Sequence, residues 1–142
     1  MRNLKSVLLV EDDRIDALTA RRAFADARIA NPLSHCVNGE DALAYLRDPG
    51  KPRPCVILLD LNMPKMNGIE FLRIAKGDED LRNIPVIVLT TSQEQSDIIN
   101  SFAFGAAGYI LKPIDYLEFV QAVRTIHLYW MLSELPEPVG RQ

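Results

Sequence analysis

The sequence predicts a doubly wound α/β domain, a parallel sheet with helices on both faces, and three observations carry that prediction. Short β-branched and aliphatic runs recur at residues 6–10, 33–37, 56–59, 85–89 and 109–111. Stretches with helical spacing of apolar residues separate them, and strict alternation of strand and helix is the signature of a parallel sheet with helical crossovers. The runs also end in polar or charged residues, Glu11 and Asp12, Asp60, Thr90, and Lys112. Right-handed crossovers bring all those carboxyl ends to one edge, where open α/β sheets place their chemistry.

Each element has its own justification. The run Val56-Ile57-Leu58-Leu59 is apolar at every position, as a central strand covered on both faces must be, and it closes on Asp60. The first strand, 6–10, runs into Glu11-Asp12-Asp13. Asp13 is placed to cap a helix starting near Arg14, with Asp16 in its first turn favoured by the helix dipole and Ala17, Ala20, Phe24 and Ala27 as its apolar stripe. After Asn31-Pro32 comes the second strand. Asn38-Gly39 then turns into a helix over 40–47 with Leu43 and Leu46 inward, stopped by Asp48-Pro49-Gly50. A third helix spans 68–76 with Phe71, Leu72 and Ala75 on its apolar side and Gly77 as a C-terminal cap. Residues 78–83 form a polar loop before the fourth strand. The fourth helix, 93–104, carries Ile98, Ile99, Phe102 and Ala103 and is broken by Gly105 and Gly108. The short fifth strand ends in Lys112-Pro113, and Asp115 caps a final helix that reaches about residue 134.

Composition narrows the functional classes. The 142 residues, 48% hydrophobic and 25% charged, suit one domain, here 1–142, with its core in about 6–132 and a Pro-containing tail over 135–142. A net charge of −3 with one adjacent basic pair, Arg21-Arg22, before the C-terminus argues against a nucleic-acid surface. No apolar run has the length of a membrane span and no apolar leader precedes the first strand, so the expectation is a cytoplasmic protein away from the membrane. Cys36 and Cys55 lie in no Cys-x-x-Cys or Cys/His cluster, so they read as two reduced thiols. Too few residues follow Leu135 for a DNA-binding unit, so a signal would pass by protein contact.

The chemistry concentrates at the strand ends. Glu11, Asp12 and Asp60 repel one another unless a cation compensates them, and an oxygen-rich open site of this kind suits Mg²⁺, which keeps waters free for a phosphate ligand. Lys112 adds a mobile positive charge fit to pair with a phosphoryl oxygen, and Thr90 a hydroxyl donor.

These residues resemble the response regulator receiver domains, through Val10-Glu11-Asp12, Leu59-Asp60-Leu61-Asn62-Met63-Pro64 with Gly68, Leu89-Thr90-Thr91, and Tyr109-Ile110-Leu111-Lys112-Pro113. The resemblance implies a flavodoxin-like five-stranded sheet in the order 2-1-3-4-5 with an extended C-terminal helix. It implies that Asp60 is the phosphoacceptor and that Glu11, Asp12, Asp60 and the backbone carbonyl of Asn62 hold Mg²⁺. Thr90 and Lys112 would contact the phosphoryl group, and Tyr109 would be the aromatic switch. Glu11 stands where many members have Asp, and Thr91 where a smaller residue is common. A finer resemblance, through 7–12, 54–62, the longer loop 77–84, 88–92 and the Trp130-containing last helix, is to single-domain regulators that serve phytochrome-type histidine kinases.

The implied function is that of a stand-alone two-component response regulator, not an enzyme acting on a separate substrate. It takes a phosphoryl group from a sensor histidine kinase and signals to a downstream protein. A phosphatase or phosphotransferase of the aspartyl-phosphate type is the alternative, but those enzymes carry a second Asp two residues after the nucleophile and this chain has Asn62, whose amide cannot deliver a proton. A constitutive binding module is a further alternative, disfavoured because no site position holds an inert residue. On the last helix, Phe119, Val123, Ile126 and Trp130 recur at helical spacing beside Val120, His127 and Met131, which suggests a homodimer face.

Overall fold

The computed structural model describes residues 5–112 and 115–132. The strands are β1 (Val7–Val10), β2 (Leu33–Cys36), β3 (Val56–Leu59), β4 (Val86–Thr90) and β5 (Gly108–Leu111), and the helices are α1 (Arg14–Asp26), α2 (Gly39–Arg47), α3 (Gly68–Gly77), α4 (Gln95–Ala103) and α5 (Tyr116–Leu132). They alternate without exception. The strands form one parallel sheet in the order β2-β1-β3-β4-β5, as expected, with Val10 in register with Cys36 on one side and Leu59 on the other. That register brings the ends of β1 and β3 level, so the residues that follow, Glu11 and Asp60, emerge side by side.

The sheet is covered on both faces. One cluster packs Val7, Leu9, Val56 and Leu58 against Ala17, Ala20 and Phe24 of α1 and Phe119, Val120 and Val123 of α5. The other packs Leu8, Val10, Ile57 and Leu59 against Leu43 of α2 and Phe71 and Leu72 of α3. Successive side chains of a strand point to opposite faces, so β1 and β3 must be apolar throughout to serve both clusters.

Capping residues start the helices where the sequence suggests. Asp13 accepts the Asp16 N–H at 3.0 Å, Asn38 that of Asp41 at 2.8 Å and Asn67 that of Glu70 at 2.9 Å. Asp115 accepts that of Glu118 at 3.4 Å. Gly77, expected as a C-terminal cap, is instead the last helical residue, and Asp78 follows it in extended geometry. Of the glycines expected to break the fourth helix, Gly105 takes a left-handed φ of +101° after α4, whereas Gly108 opens β5.

Two expectations about helix faces are corrected. The apolar side expected on the fourth helix is largely in solvent: Ile99 and Phe102 are 58% and 49% exposed, and Ser101 is the residue of α4 that is buried. On α5, Phe119 and Val123 lie in the core cluster and Ile126 packs against it, so these three hold the helix to its own sheet instead of forming a dimer face. The side chains of Trp130, the fourth residue of that stripe, and of Met131 lie outside the described residues, as do Pro113 and the tail at 135–142. No helix among the described residues is long and apolar enough to cross a membrane. Cys36 and Cys55 are both free and buried, and burial pushes the Cys36 thiol up to about 11.

Candidate functional site

The site is built from strand ends. Glu11 leaves β1 with its backbone N–H on the Cys36 carbonyl, and Asp60 leaves β3 with its N–H on the Val10 carbonyl. These bonds extend the sheet ladder one residue beyond the apolar runs and set where each carboxylate points. Carboxylate oxygens of Glu11, Asp12 and Asp60 lie within 4.8 Å of one another. Glu11 and Asp60 are 2% and 6% exposed, whereas Asp12 is exposed.

Burial beside a second carboxylate disfavours charge, and Glu11 shows it. Burial pushes its carboxyl group up to about 7, and the neighbouring Asp60 charge adds to the rise while the hydrogen bond from Lys112 works against it. A hard divalent cation would offset this effect, and the all-oxygen donor set fits one. The loop after Asp60 folds back closely on the strand end. Gly68 donates to the Leu61 carbonyl at 2.9 Å, and a Cβ there would lie 2.5 Å from the Asp60 carbonyl oxygen. Only a residue without a side chain permits that approach, and it explains the glycine of the motif.

Thr90 ends β4 fully buried, and its hydroxyl oxygen accepts the Ser92 N–H at 3.3 Å. Lys112 is tied next to it, because the Lys112 backbone N–H donates to the Thr90 carbonyl at 2.7 Å. Tyr109 donates its hydroxyl to the Ser92 carbonyl at 2.9 Å, and Ser92 in turn donates its own hydroxyl to Asp97 on α4 at 2.6 Å. The aromatic expected to switch is thus already engaged with the loop that carries Thr90. Burial raises the Tyr109 phenol above its ordinary value, partly opposed by the Ser92 bond. Asn62 donates from its amide to the Thr91 hydroxyl at 3.4 Å, so its side chain bridges the β3–α3 and β4–α4 loops.

Lys112 departs from the simplest expectation. Its ammonium donates to Glu11 Oε1 at 2.7 Å and to Asp16 Oδ2 at 2.8 Å. Burial works against its charge, but these two carboxylates outweigh burial and hold its pKa above the ordinary lysine value. Sequence reasoning placed Asp16 only as a favourable charge in the first turn of α1. It also missed His35, which donates from Nε2 to the Glu11 carbonyl at 2.6 Å, and the Ser92–Asp97 pair. The Asp16 and His35 contacts join elements far apart in the chain, for which spacing gives no signal.

A doubly wound sheet with a carboxylate triad, a threonine and a lysine converging on one edge defines a phosphoacceptor signalling domain. The chain belongs to the response regulator receiver family, whose model matches residues 7–124. It is 36% identical over 131 residues to the response regulator Rcp1 of Synechocystis sp., covering 89% of both chains. The Mn(2+)-bound form of Rcp1 superposes with a TM-score of 0.82, over 93% of this chain and 99% of that one. The phosphorylated cyanobacterial phytochrome response regulator RcpA gives 0.85 at 36% identity, over 95% and 100% of the two chains. The bacteriophytochrome response regulator RtBRR gives 0.76 at 38% identity, over 97% and 86%.

Proposed function

We propose that the protein is a stand-alone cytoplasmic response regulator that takes a phosphoryl group onto Asp60 from a sensor histidine kinase of the phytochrome type. The observation that carries this reading is the convergence of Glu11, Asp12 and Asp60 within 4.8 Å, two of them buried, with Lys112 on Glu11. Likeness to Rcp1, RcpA and RtBRR along nearly the whole chain supports the choice of kinase.

Asp60 attacks phosphorus in line as the P–N bond to the kinase histidine breaks and its imidazole leaves, giving an aspartyl phosphate. Mg²⁺, held by Glu11, Asp12, Asp60 and the Asn62 carbonyl, would supply charge neutralisation for the phosphoryl oxygens. The Thr90 hydroxyl and the Lys112 ammonium then bind the phosphoryl group, whose charge of about −2 favours both contacts. Asn62 offers no proton for hydrolysis, which fits a phosphoacceptor that keeps its phosphate better than it fits a phosphatase.

The change is read out on the α4–β5–α5 face. Ile99, Phe102 and Leu111 are exposed there, and α4 has no side-chain bond at its N-cap, so this face has little intramolecular packing to hold one arrangement. Tyr109 and the Ser92–Asp97 bond link that helix to Thr90. A downstream protein reads this face, and a homodimer forms through the outer side of α5, where Leu117 and Leu128 are 71% and 57% exposed.

The test is intact mass spectrometry after incubation with acetyl phosphate. Wild type should gain one phosphoryl group that depends on Mg²⁺ and is removed by hydroxylamine. Equal labelling of Asp60→Asn would refute the assignment, and sustained turnover of a generic phosphoester would favour the phosphatase reading.

A further inference from the structure

Lys112 has two anionic partners, and only one of them belongs to the carboxylate triad. Glu11 is a member of the triad, whereas Asp16 stands on α1, and its carboxylate meets the ammonium at 2.8 Å across 96 residues of chain. Both ends of this contact are anchored. The Asp16 backbone N–H is held by the Asp13 cap at 3.0 Å, and the Lys112 backbone N–H by the Thr90 carbonyl at 2.7 Å. What remains free to move is the lysine side chain, whose reach lets it serve either α1 or the Asp60 carboxylate.

The surroundings show which way it leans. Glu11, Asp16 and Lys112 line a cavity of about 200 Å³ between α1 and α5, floored by Leu9, Leu89 and Phe119. The opening on the side of the β3–α3 loop is lined by Asp12, Asn62 and Asp97. Lys112 thus lines the cavity with Asp16 and not the opening with Asp12, and its side chain is 13% exposed in that position against 39% for Asp16.

We propose that Asp16 is a positioning residue that competes with the phosphoryl group on Asp60 for Lys112. The inference rests on the phosphoacceptor reading above. A phosphoryl group must draw the ammonium from a carboxylate already at hydrogen-bond distance, so its affinity for the site is lowered by whatever Asp16 contributes to the resting pair. Asp16 therefore sets how readily the domain responds to a given level of phosphodonor. It needs no contact with the phosphate to do so.

The experiment is a titration of full-length protein with beryllofluoride, a phosphoryl mimic, in saturating Mg²⁺, with bound fluoride read by ¹⁹F NMR. Asp16→Asn keeps the shape and removes the charge, and it should bind the mimic about two- to fivefold more tightly, the range a partly exposed ion pair supports. Asp16→Glu, which keeps the charge, should stay near wild type. Asp13→Asn removes one charge from the same helix end while retaining a good cap, and should also stay near wild type. Unchanged affinity in Asp16→Asn, or an equal gain in Asp13→Asn, would overturn the role of Asp16 and leave the phosphoacceptor reading standing. Absence of mimic binding in wild type would overturn that reading, and the competition with it.

Discussion

Glu11 gives the metal-free protein a pH dependence of stability that a single substitution should remove. Its carboxyl group is 2% exposed and is pushed by burial from 4.5 to about 7. A folded-state pKa above the unfolded value means that the folded chain binds the extra proton between those limits. The stabilising effect of that proton is complete below about pH 4.5 and is lost as pH rises through about 7. The rise of about 2.5 units corresponds to about 3 kcal/mol, lost between about pH 4.5 and pH 7. Glu11→Gln cannot ionise and should lack this loss. It removes the charge of one Lys112 partner but leaves Asp16, so it shifts the whole curve without adding a slope in this window. Urea unfolding in the presence of EDTA measures both curves. Saturating Mg²⁺ should reverse the wild-type trend, because the ion favours the carboxylate and binds better as Glu11 deprotonates. Parallel pH profiles for wild type and Glu11→Gln would refute the burial argument.

Further outcomes follow from the same contacts. Lys112→Ala should accept phosphate slowly yet fail to shift the NMR signals of Thr90 and Tyr109, and a full wild-type response to beryllofluoride in this variant would exclude the lysine from the coupling. Gly68→Ala should destabilise the fold by more than about 2 kcal/mol in urea unfolding, since its Cβ would meet the Asp60 carbonyl at 2.5 Å and the Leu61 Cα at 2.7 Å, both backbone atoms. Phe119→Ala should cost about 3 to 5 kcal/mol of stability, as expected of a core residue. A loss of self-association at unchanged stability would instead place Phe119 at an interface.

The sequence by itself determined the alternation of strand and helix, and with it the sheet. Covering β1 and β3 on both faces requires apolar residues at every position, and such runs are visible without coordinates. It also determined the strand-end residues Glu11, Asp12, Asp60, Thr90 and Lys112, because each lies next to the apolar run that carries it. The caps Asp13 and Asp115 were legible for a similar reason, since each bonds a backbone N–H three residues away. What the tertiary structure decided lies further apart in the chain. Periodicity says that Phe119, Val123 and Ile126 share a side of α5, and that Ile99 and Phe102 belong to the apolar residues of α4. It does not say that the first set meets the sheet while the second meets solvent. The partner of Lys112 depends on how α1 and the end of β5 are brought together across the sheet edge. A lysine ammonium takes whichever carboxylate is within reach, so only the assembled fold could add Asp16, 96 residues away, to Glu11.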